Sequence, residues 1–321
     1  MHVIVEYVDS PVIVVHGGAG SWRRVFDDPD YPYSLKDIAG LIRRSLEHGF
    51  NVLVKEGSVR AVIEAVKVLE DSGILNAGWS SALNLLGEAE MDASLMSSDG
   101  LVGAVGAVKY PKNPIELAYL IAKETDHVLV VGNGADMLAK RFGLPQREPL
   151  PDHIVKRYNR LMSELSQGKA TTLRWRKIRL LAQRYGLLAD TVGAVALDEK
   201  GVLAAASSTG GIWLKHPGRI GDTPIPGAGF YADSNVAVVA TGYGEVIVKS
   251  MASKTIADSL AKGLGLEEAC RKAIEKAEEV GGKRVIGLIA VTRNGEVCLA
   301  YDTEGMPSGY MYKGGIRIIE L

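Results

Sequence analysis

Asp190-Thr191-Val192-Gly193-Ala194-Val195-Ala196-Leu197-Asp198 is a run of small and apolar residues with an acidic residue at each end. The turn residues Glu199-Lys200-Gly201 and a second run at 202–207 follow it. Two such runs around a short glycine-containing turn predict an antiparallel hairpin. Because opposing residues in this hairpin have numbers that add up to roughly 400, we expect Thr191 to lie across from Thr209.

Periodicity along the remaining chain predicts strands that come mainly as antiparallel hairpins and helices that come in blocks. This arrangement favours a layered α+β fold with mainly antiparallel sheets over a doubly wound parallel sheet. Ser58 is a candidate N-cap for the second helix. The predicted helices are 35–55, 58–71, 114–123, 135–142, 154–165, 173–185, 244–262 and 266–280. The predicted strands are 11–15, 90–96, 101–110, 127–131, 191–198, 202–207, 235–240, 285–292 and 296–301.

Composition limits the class of protein. The chain has 321 residues and a formal net charge of −1, so nothing draws the whole molecule to nucleic acid or to acidic membranes. We find no apolar run of membrane-spanning length and no signal-peptide pattern. The two cysteines match no metal-ligand or disulfide pattern, and the histidines are not spaced for zinc. We therefore expect a cytoplasmic protein with no nucleic-acid or membrane partner.

One segment differs in charge from its surroundings. Between Lys140 and Ala189 there are twelve Lys or Arg residues against three Asp or Glu residues. Such an imbalance predicts a mostly solvated stretch. The segment has few aromatic residues among its basic ones, so a linker is favoured over a nucleic-acid-binding arm. This linker, 140–190, ends at Asp190.

Three short motifs near the hairpin could carry chemistry. The threonine pair has Gly210-Gly211 beside it, although cross-strand threonine pairs are also ordinary in sheets. Arg219 and Asp222, in Gly218-Arg219-Ile220-Gly221-Asp222, suit the carboxylate and the ammonium group of an α-amino acid, although they could equally form a surface ion pair. Thr241 and Gly242 lie between a strand and a helix, where they could hold an oxyanion or form a helix cap.

Taken together and in order, the motifs resemble one family, the plant-type asparaginases and isoaspartyl peptidases, which are N-terminal nucleophile hydrolases. The resemblance extends over nearly the whole chain. It rests on His16-Gly17-Gly18-Ala19-Gly20, Leu75-Asn76-Ala77-Gly78, Met91-Asp92-Ala93-Ser94-Leu95-Met96, Asp190-Thr191-Val192-Gly193-Ala194-Val195, Ser208-Thr209-Gly210-Gly211, Gly218-Arg219-Ile220-Gly221-Asp222, Gly227-Ala228-Gly229-Phe230-Tyr231-Ala232-Asp233 and Thr241-Gly242-Tyr243-Gly244-Glu245.

The resemblance implies a four-layer αββα sandwich made as an inactive precursor. Self-cleavage between Asp190 and Thr191 would give an α subunit, 1–190, and a β subunit, 191–321, that together form one domain. Two such pairs would form a dimer of heterodimers. The implied roles are nucleophile for Thr191, assistance for Thr209 and the oxyanion hole for Thr241 and Gly242. The implied substrate-binding residues are Arg219, Asp222, Asn76 and Gly244.

The implied chemistry suits these residue types. A threonine hydroxyl is a poor nucleophile until a base removes its proton. The free α-amine of an N-terminal threonine, with a pKa of about 7.7–8.0, can be that base. Before cleavage the same nitrogen is an amide, so the precursor would be inactive toward asparagine or a β-aspartyl dipeptide. Catalysis would need no cofactor.

The resemblance also implies a structural sodium ion, held by backbone carbonyls of the loop around Leu75 and Asn76. This chain departs from the pattern there, because Trp79-Ser80-Ser81 stands where relatives more often carry Lys or Arg and glycines. Two alternatives stay open. One is a glycosylasparaginase of the same superfamily, although Ser208-Thr209-Gly210-Gly211 favours the asparaginases. The other is a non-enzymatic protein that binds aspartate-like ligands through Arg219 and Asp222.

Overall fold

Two β-sheets dominate the computed structural model, which describes residues 1–167 and 191–319. Among these residues, every strand pair is antiparallel except β4 with β5, so the prediction of mainly antiparallel sheets is confirmed. The strands are β1 (His2–Tyr7), β2 (Val12–His16), β3 (Met91–Ser97), β4 (Val102–Val108), β5 (Leu129–Val131), β6 (Thr191–Leu197), β7 (Leu203–Thr209), β8 (Phe230–Ala232), β9 (Val236–Gly242), β10 (Ile286–Thr292), β11 (Glu296–Tyr301), β12 (Ser308–Tyr312) and β13 (Gly315–Ile319). The larger sheet has the order β13-β12-β2-β6-β7-β3-β4-β5, and the smaller one β1-β11-β10-β9-β8.

The helices fall into two groups along the chain. An amino-terminal group precedes β6, and a carboxy-terminal group follows β9. They are α1 (Trp22–Phe26), α2 (Leu35–Glu56), α3 (Ser58–Glu70), α4 (Pro114–Glu124), α5 (Gly132–Arg141), α6 (Asp152–Ser166), α7 (Gly244–Ser250), α8 (Ala252–Ala261) and α9 (Leu266–Gly281), with a 3₁₀ turn at Gly78–Ser80. The predicted helix 173–185 lies outside the described residues.

Three large apolar clusters hold most of these elements together, and a small fourth cluster contains Ile154 of α6. One lies between α2–α5 and the larger sheet, and a second lies between α7–α9 and the smaller sheet. The third fills the space between the two sheets, with side chains from β6, β7, β9 and β10. These clusters cover both faces of each sheet. Because burial of apolar surface stabilises a fold by about 25 cal/mol per Å², each sheet is stabilised from both faces.

The predicted β6–β7 hairpin is confirmed to the residue. Thr191 lies across from Thr209, and Leu197 lies across from Leu203. At the turn, the Asp198 carboxylate accepts hydrogen bonds from the backbone N–H of Lys200 and Val202, both at 2.9 Å. This side chain explains why the acidic residue follows the apolar run.

Two sequence predictions about helix ends are wrong. Ser58 does not cap α3; it is the first helical residue, and its N–H and hydroxyl both donate to Asp198 at 3.2 Å. The segment 244–262 is two helices, because Met251 adopts a left-handed conformation with φ of 49°. Local periodicity does not report this break, since apolar spacing continues across it.

The amino-terminal part of the basic segment is attached to the protein at some positions, while about half of residues 140–167 are exposed. In α6, Arg157 and Arg160 form ion pairs with Asp28 at 3.2 and 2.7 Å. Ile154 of the same helix is buried. The carboxylates that balance these arginines come from a distant part of the sequence, which a local charge count does not see.

Two further observations concern the cysteines and the search for a membrane-spanning helix. Cys270 on α9 and Cys298 on β11 are both buried and both free, and they meet in the core beneath the smaller sheet. Within 1–167 and 191–319, no helix is both long enough and apolar enough to cross a lipid bilayer.

Candidate functional site

Three threonines project into the space between the two sheets. Side chains alternate along a strand, and Val195 and Leu197 of β6 belong to the inter-sheet cluster, so Thr191 points the same way. The same alternation applies to Thr209 on β7 and to Thr241 on β9, which is in the facing sheet. All three are buried, with exposed fractions of 5%, 3% and 0%. They therefore lie at one end of the inter-sheet core.

Hydrogen bonds connect these threonines to their surroundings. The Thr241 hydroxyl donates to the backbone carbonyl of Thr191 at 3.4 Å and accepts from the N–H of Ala19 at 3.3 Å. The Thr209 hydroxyl accepts from the N–H of Gly211 at 2.9 Å. Thr241 thus connects the start of β6, in one sheet, with β9 in the other.

The glycine loop after β2 contributes to this arrangement through His16. Burial lowers the pKa of His16 to about 3, so the ring is neutral, and its Nδ1 accepts from the N–H of Gly18 at 3.1 Å. His16 pairs with Gly193 in the sheet, and a Cβ on Gly193 would lie 2.6 Å from His16 Nε2. The loop that carries Ala19 is therefore held next to β6.

Arg219 and Glu245 form a bidentate ion pair at the site. Nε and Nη2 of Arg219 each donate to one oxygen of Glu245, on α7, at 2.9 Å. The arginine side chain is only 12% exposed. The alternative that Arg219 forms an ordinary surface ion pair with Asp222 is therefore not what the structure shows. Burial opposes ionisation of Glu245, but the hydrogen bonds and charge of Arg219 keep its pKa below the ordinary value. Sequence reasoning missed Glu245 as the partner of Arg219, although it stands in the Thr241–Glu245 motif.

Glycines surround the remaining edge of the Arg219 guanidinium. A Cβ on Gly221 would lie 2.9 Å from Nη1, and one on Gly244 would lie 2.8 Å from Nη2. The same Cβ on Gly244 would be 3.0 Å from Oδ1 of Asp222. Gly244, predicted to bind substrate, therefore keeps a side chain out of the space between the two predicted recognition groups.

Asp222 is a buried carboxyl group with one unused oxygen. The residue is 3% exposed, and Oδ2 has no hydrogen-bond partner among the residues that the structure describes. Burial raises the pKa of Asp222 to about 7, although the Arg219 charge opposes that rise. A buried carboxylate is costly unless a cation pairs with it. The site is therefore suited to a positively charged group of a ligand.

Two further buried charged residues, Lys215 and Asp92, lie behind the loop that carries Arg219 and Asp222. The sequence analysis assigned them no role. The Lys215 ammonium donates to the Glu90 carbonyl at 2.6 Å, and burial lowers its pKa. Asp92 pairs with Thr209 in the sheet and accepts from the N–H of Ala107 at 2.8 Å and of Gly221 at 3.4 Å. Asp92 thus joins Thr209 to the loop that carries Arg219 and Asp222. Its place within the motif Met91–Met96 was the one available signal.

Asn76 connects a second loop to the site. Its side-chain amide donates to the Gly211 carbonyl and accepts from the N–H of Ala82, both at 2.6 Å. The N–H of Gly210 donates to the Asn76 carbonyl at 3.0 Å. Because the N–H of Gly211 donates to the Thr209 hydroxyl, Asn76 helps to fix the position of Thr209 through Gly211. Asp190, the other half of the predicted cleavage site, lies outside the described residues.

Comparison of the sequence with known proteins matches the chain to one family. A family model described as "Asparaginase" matches residues 9–320. The "Plant-type L-asparaginase" of Pyrobaculum calidifontis is 39% identical, over 95% of this chain and 98% of its own. The "Isoaspartyl peptidase/L-asparaginase" of Xenopus laevis is 40% identical, over 92% and 90%. The "Isoaspartyl peptidase" of Escherichia coli is 38% identical, over 94% and 93%.

Proposed function

The chain belongs to the asparaginase family, and from this premise we propose that it hydrolyses the side-chain amide of L-asparagine and the isopeptide bond of β-aspartyl dipeptides. Both substrates offer the nucleophile the side-chain carbonyl of an aspartyl unit. Both also carry a free α-carboxylate and a free α-ammonium group. The proposal therefore requires a nucleophile, an oxyanion site and two charged recognition groups.

The observation that carries the proposal is the convergence of Thr191, Thr209 and Thr241 beside buried charges of both signs. In our proposal, the chain cuts itself between Asp190 and Thr191, and the freed α-amine then accepts the proton of the Thr191 hydroxyl. The hydroxyl oxygen attacks the substrate carbonyl. The protonated α-amine then gives its proton to the leaving nitrogen, and ammonia or the amine of the second amino acid leaves. Water then hydrolyses the ester, releasing aspartate and restoring Thr191.

Thr209 and Thr241 have supporting roles in this proposal. Thr209 assists Thr191 from the neighbouring strand. The Thr241 hydroxyl, turned away from the Thr191 carbonyl, and the Gly242 N–H donate to the oxyanion of the tetrahedral intermediate. Donors of this kind typically contribute roughly 10²–10³ in kcat.

Recognition of the substrate is proposed for Arg219 and Asp222. Glu245 occupies the Nε side of the guanidinium, which leaves the edge beside Gly221 and Gly244 for an α-carboxylate. The Asp222 Oδ2 atom is buried and has no hydrogen-bond partner among the described residues. The α-ammonium group of the substrate would supply both a donor and a positive charge. Arginine suits a carboxylate because its planar N–H groups match the two oxygens.

The wider architecture is part of the same proposal. The alternation of helices, sheet, sheet and helices around three apolar clusters supports a four-layer αββα sandwich of N-terminal nucleophile hydrolases. We propose that residues 1–190 and 191–321 stay together as one domain after cleavage. We further propose that two such pairs assemble as a dimer of heterodimers in the cytoplasm.

A denaturing gel with mass spectrometry of the fragments tests this proposal. We expect the wild-type chain to separate into two fragments, the second beginning at Thr191, and to release ammonia from asparagine. Thr191→Ala should stay a single chain, and its activity should fall by roughly 10³-fold or more. Thr255→Ala, which removes a helical hydroxyl bonded to Ser250, is the control and should be cut normally. A wild-type chain that stays whole, or a Thr191→Ala chain that is cut, would contradict the proposal.

A further inference from the structure

The loop 72–81, which follows α3 and carries Asn76, is held together by hydroxyl groups. Ser80 is 3% exposed, and its hydroxyl donates to the Leu75 carbonyl at 2.5 Å. The Ser81 hydroxyl donates to the Gly78 carbonyl at 2.9 Å, and the Ser72 hydroxyl donates to the Leu69 carbonyl at 2.7 Å. Each of these hydrogen bonds joins two residues within 69–81, so they stabilise the loop and the end of α3 that leads into it.

Backbone groups and a tyrosine engage further carbonyls of the same loop. The Leu75 carbonyl also accepts from the N–H of Ala77 at 2.8 Å. Tyr31 donates its hydroxyl to Ile74 at 3.3 Å, and Gly210 donates its N–H to Asn76 at 3.0 Å. A carbonyl oxygen has two lone pairs, and both lone pairs of Leu75 are used by these hydrogen bonds.

This arrangement does not fit the sodium ion that the family resemblance implies for the loop. A hard cation is held by several oxygen atoms whose lone pairs point at one place and replace its water shell. Here the Leu75 oxygen points its lone pairs at N–H and O–H donors. One of these donors is the Ser80 hydroxyl, which comes from within the loop itself.

We propose that the Ser80 hydroxyl takes the place of the ion, so that the loop 72–81 of this chain folds and works without sodium. Ser80 is then a positioning residue. It fixes Leu75, and with it the neighbouring Asn76, whose side-chain amide holds Gly211 and, through Gly211, Thr209. The effect on catalysis rests on the proposed function, whereas the effect on sodium dependence does not.

The test compares thermal unfolding in sodium chloride with that in choline chloride at equal concentration, which keeps ionic strength constant. We expect the Tm of the wild-type chain to be the same in both salts. Ser80→Ala removes the donor and leaves the Leu75 oxygen short of one partner. Its Tm in choline chloride should fall by about 2–4 °C, and sodium should restore part of this loss in a saturable way.

Ser45→Ala is the matched control, because Ser45 is also buried and donates to a backbone carbonyl, that of Ala65, at 2.8 Å. It should lose similar stability in both salts and gain no response to sodium. In Ser80→Ala, kcat for asparagine should fall in choline chloride and recover with sodium, in parallel with Tm.

Two results would overturn the inference. One is a wild-type Tm that rises saturably with sodium. The other is a Ser80→Ala chain that responds to sodium no more than Ser45→Ala. The wild-type comparison decides even if the Ser80 variant fails to fold. Because Tm is measured without substrate, either result would leave the proposed hydrolase activity untouched, and an inactive wild-type chain would leave the Tm comparison valid.

Discussion

The threonines of the site and the charges beside them are held in place in different ways. Thr191, Thr209 and Thr241 stand on regular strands, and strand register determines where each hydroxyl lies. Arg219 and Asp222 stand on a loop, and burial and ion pairing determine where their charged groups lie. Substitutions among the threonines should therefore change the rate of chemistry. Substitutions among the loop charges should change binding and its dependence on pH.

Among the variants that compare the two regions, the largest effect is expected from Thr241→Val, which keeps the shape of the side chain and removes the hydroxyl. If Thr241 donates to the oxyanion as proposed, loss of its hydroxyl should lower kcat for asparagine by roughly 10²–10³, with little change in KM. Thr241→Ser retains the hydroxyl and is the control. Steady-state kinetics on fully cleaved protein would measure the difference. A large rise in KM with unchanged kcat would contradict the distinction between the two regions.

Gly244→Ala tests the charged region in the same way. The new Cβ would lie 2.8 Å from Arg219 Nη2 and 3.0 Å from Asp222 Oδ1, so one of these groups must move. We expect KM for asparagine to rise about 10-fold or more, since a displacement near 1 Å can cost up to 10²-fold. Self-cleavage should continue. Gly265→Ala, where a Cβ has open space, should change neither quantity.

Asp222→Asn separates the contribution of Asp222 to binding from its effect on stability. In the folded chain its pKa is about 7, against an ordinary value of 3.8. Ionisation therefore favours the unfolded chain as pH rises from about 4 to about 7, and the penalty stays constant above that. The variant avoids this penalty, so its Tm should exceed that of the wild type by a few degrees at pH 8.

This stability difference should shrink as the pH is lowered and disappear near pH 4. The same Asp222→Asn variant should bind aspartate poorly, because the neutral amide no longer balances an α-ammonium group. Differential scanning calorimetry across this pH range and titration with aspartate would measure both effects. A Tm difference that grows toward acid pH would show the assumed sign of the shift to be wrong.

The smallest effect is expected from Glu245→Gln, which preserves the shape of the Arg219 partner and removes its charge. The negative charge of Glu245 contributes to the raised pKa of Asp222, so the pKa of Asp222 should fall in the variant. The pH profile of kcat/KM should move toward acid, while KM at pH 8 changes only a few-fold. A profile that stays in place would mean that the two carboxyl groups are not coupled.

The two regions also differ in what the sequence could predict. The hairpin register followed from a single glycine-containing turn, because pairing in a two-stranded ladder is set by local spacing. The chemistry of their side chains was enough to select Arg219 and Asp222 as candidates. The sequence did not predict that Arg219 pairs with Glu245 or that Asp92 and Lys215 lie behind the loop. Those contacts join residues 26 to 129 positions apart, and nothing local to either partner reports them.

The same reasoning applies to elements outside the site. The left-handed residue Met251 and the ion pairs of α6 with Asp28 depend on tertiary packing, so apolar spacing and local charge counts missed them. The strands β1, β8, β12 and β13 were not predicted. β1 and β12 pair with strands distant in sequence, β11 and β2. β8 and β13 form local hairpins with β9 and β12, and the sequence analysis missed these short strands.

The position of β6 within its sheet has a consequence for the chain end that the proposed cleavage would form. A free terminus usually frays, because its first residues have few bonds to hold them. Thr191 is the first residue of a strand that pairs with β2 on one side and β7 on the other, and its far end is anchored through Asp198 to α3. Cutting the chain before Thr191 would therefore create an end with little conformational freedom to lose when substrate binds. An N-terminal amine at this point would be on the same residue as its hydroxyl, and the sheet would fix the orientation of that residue.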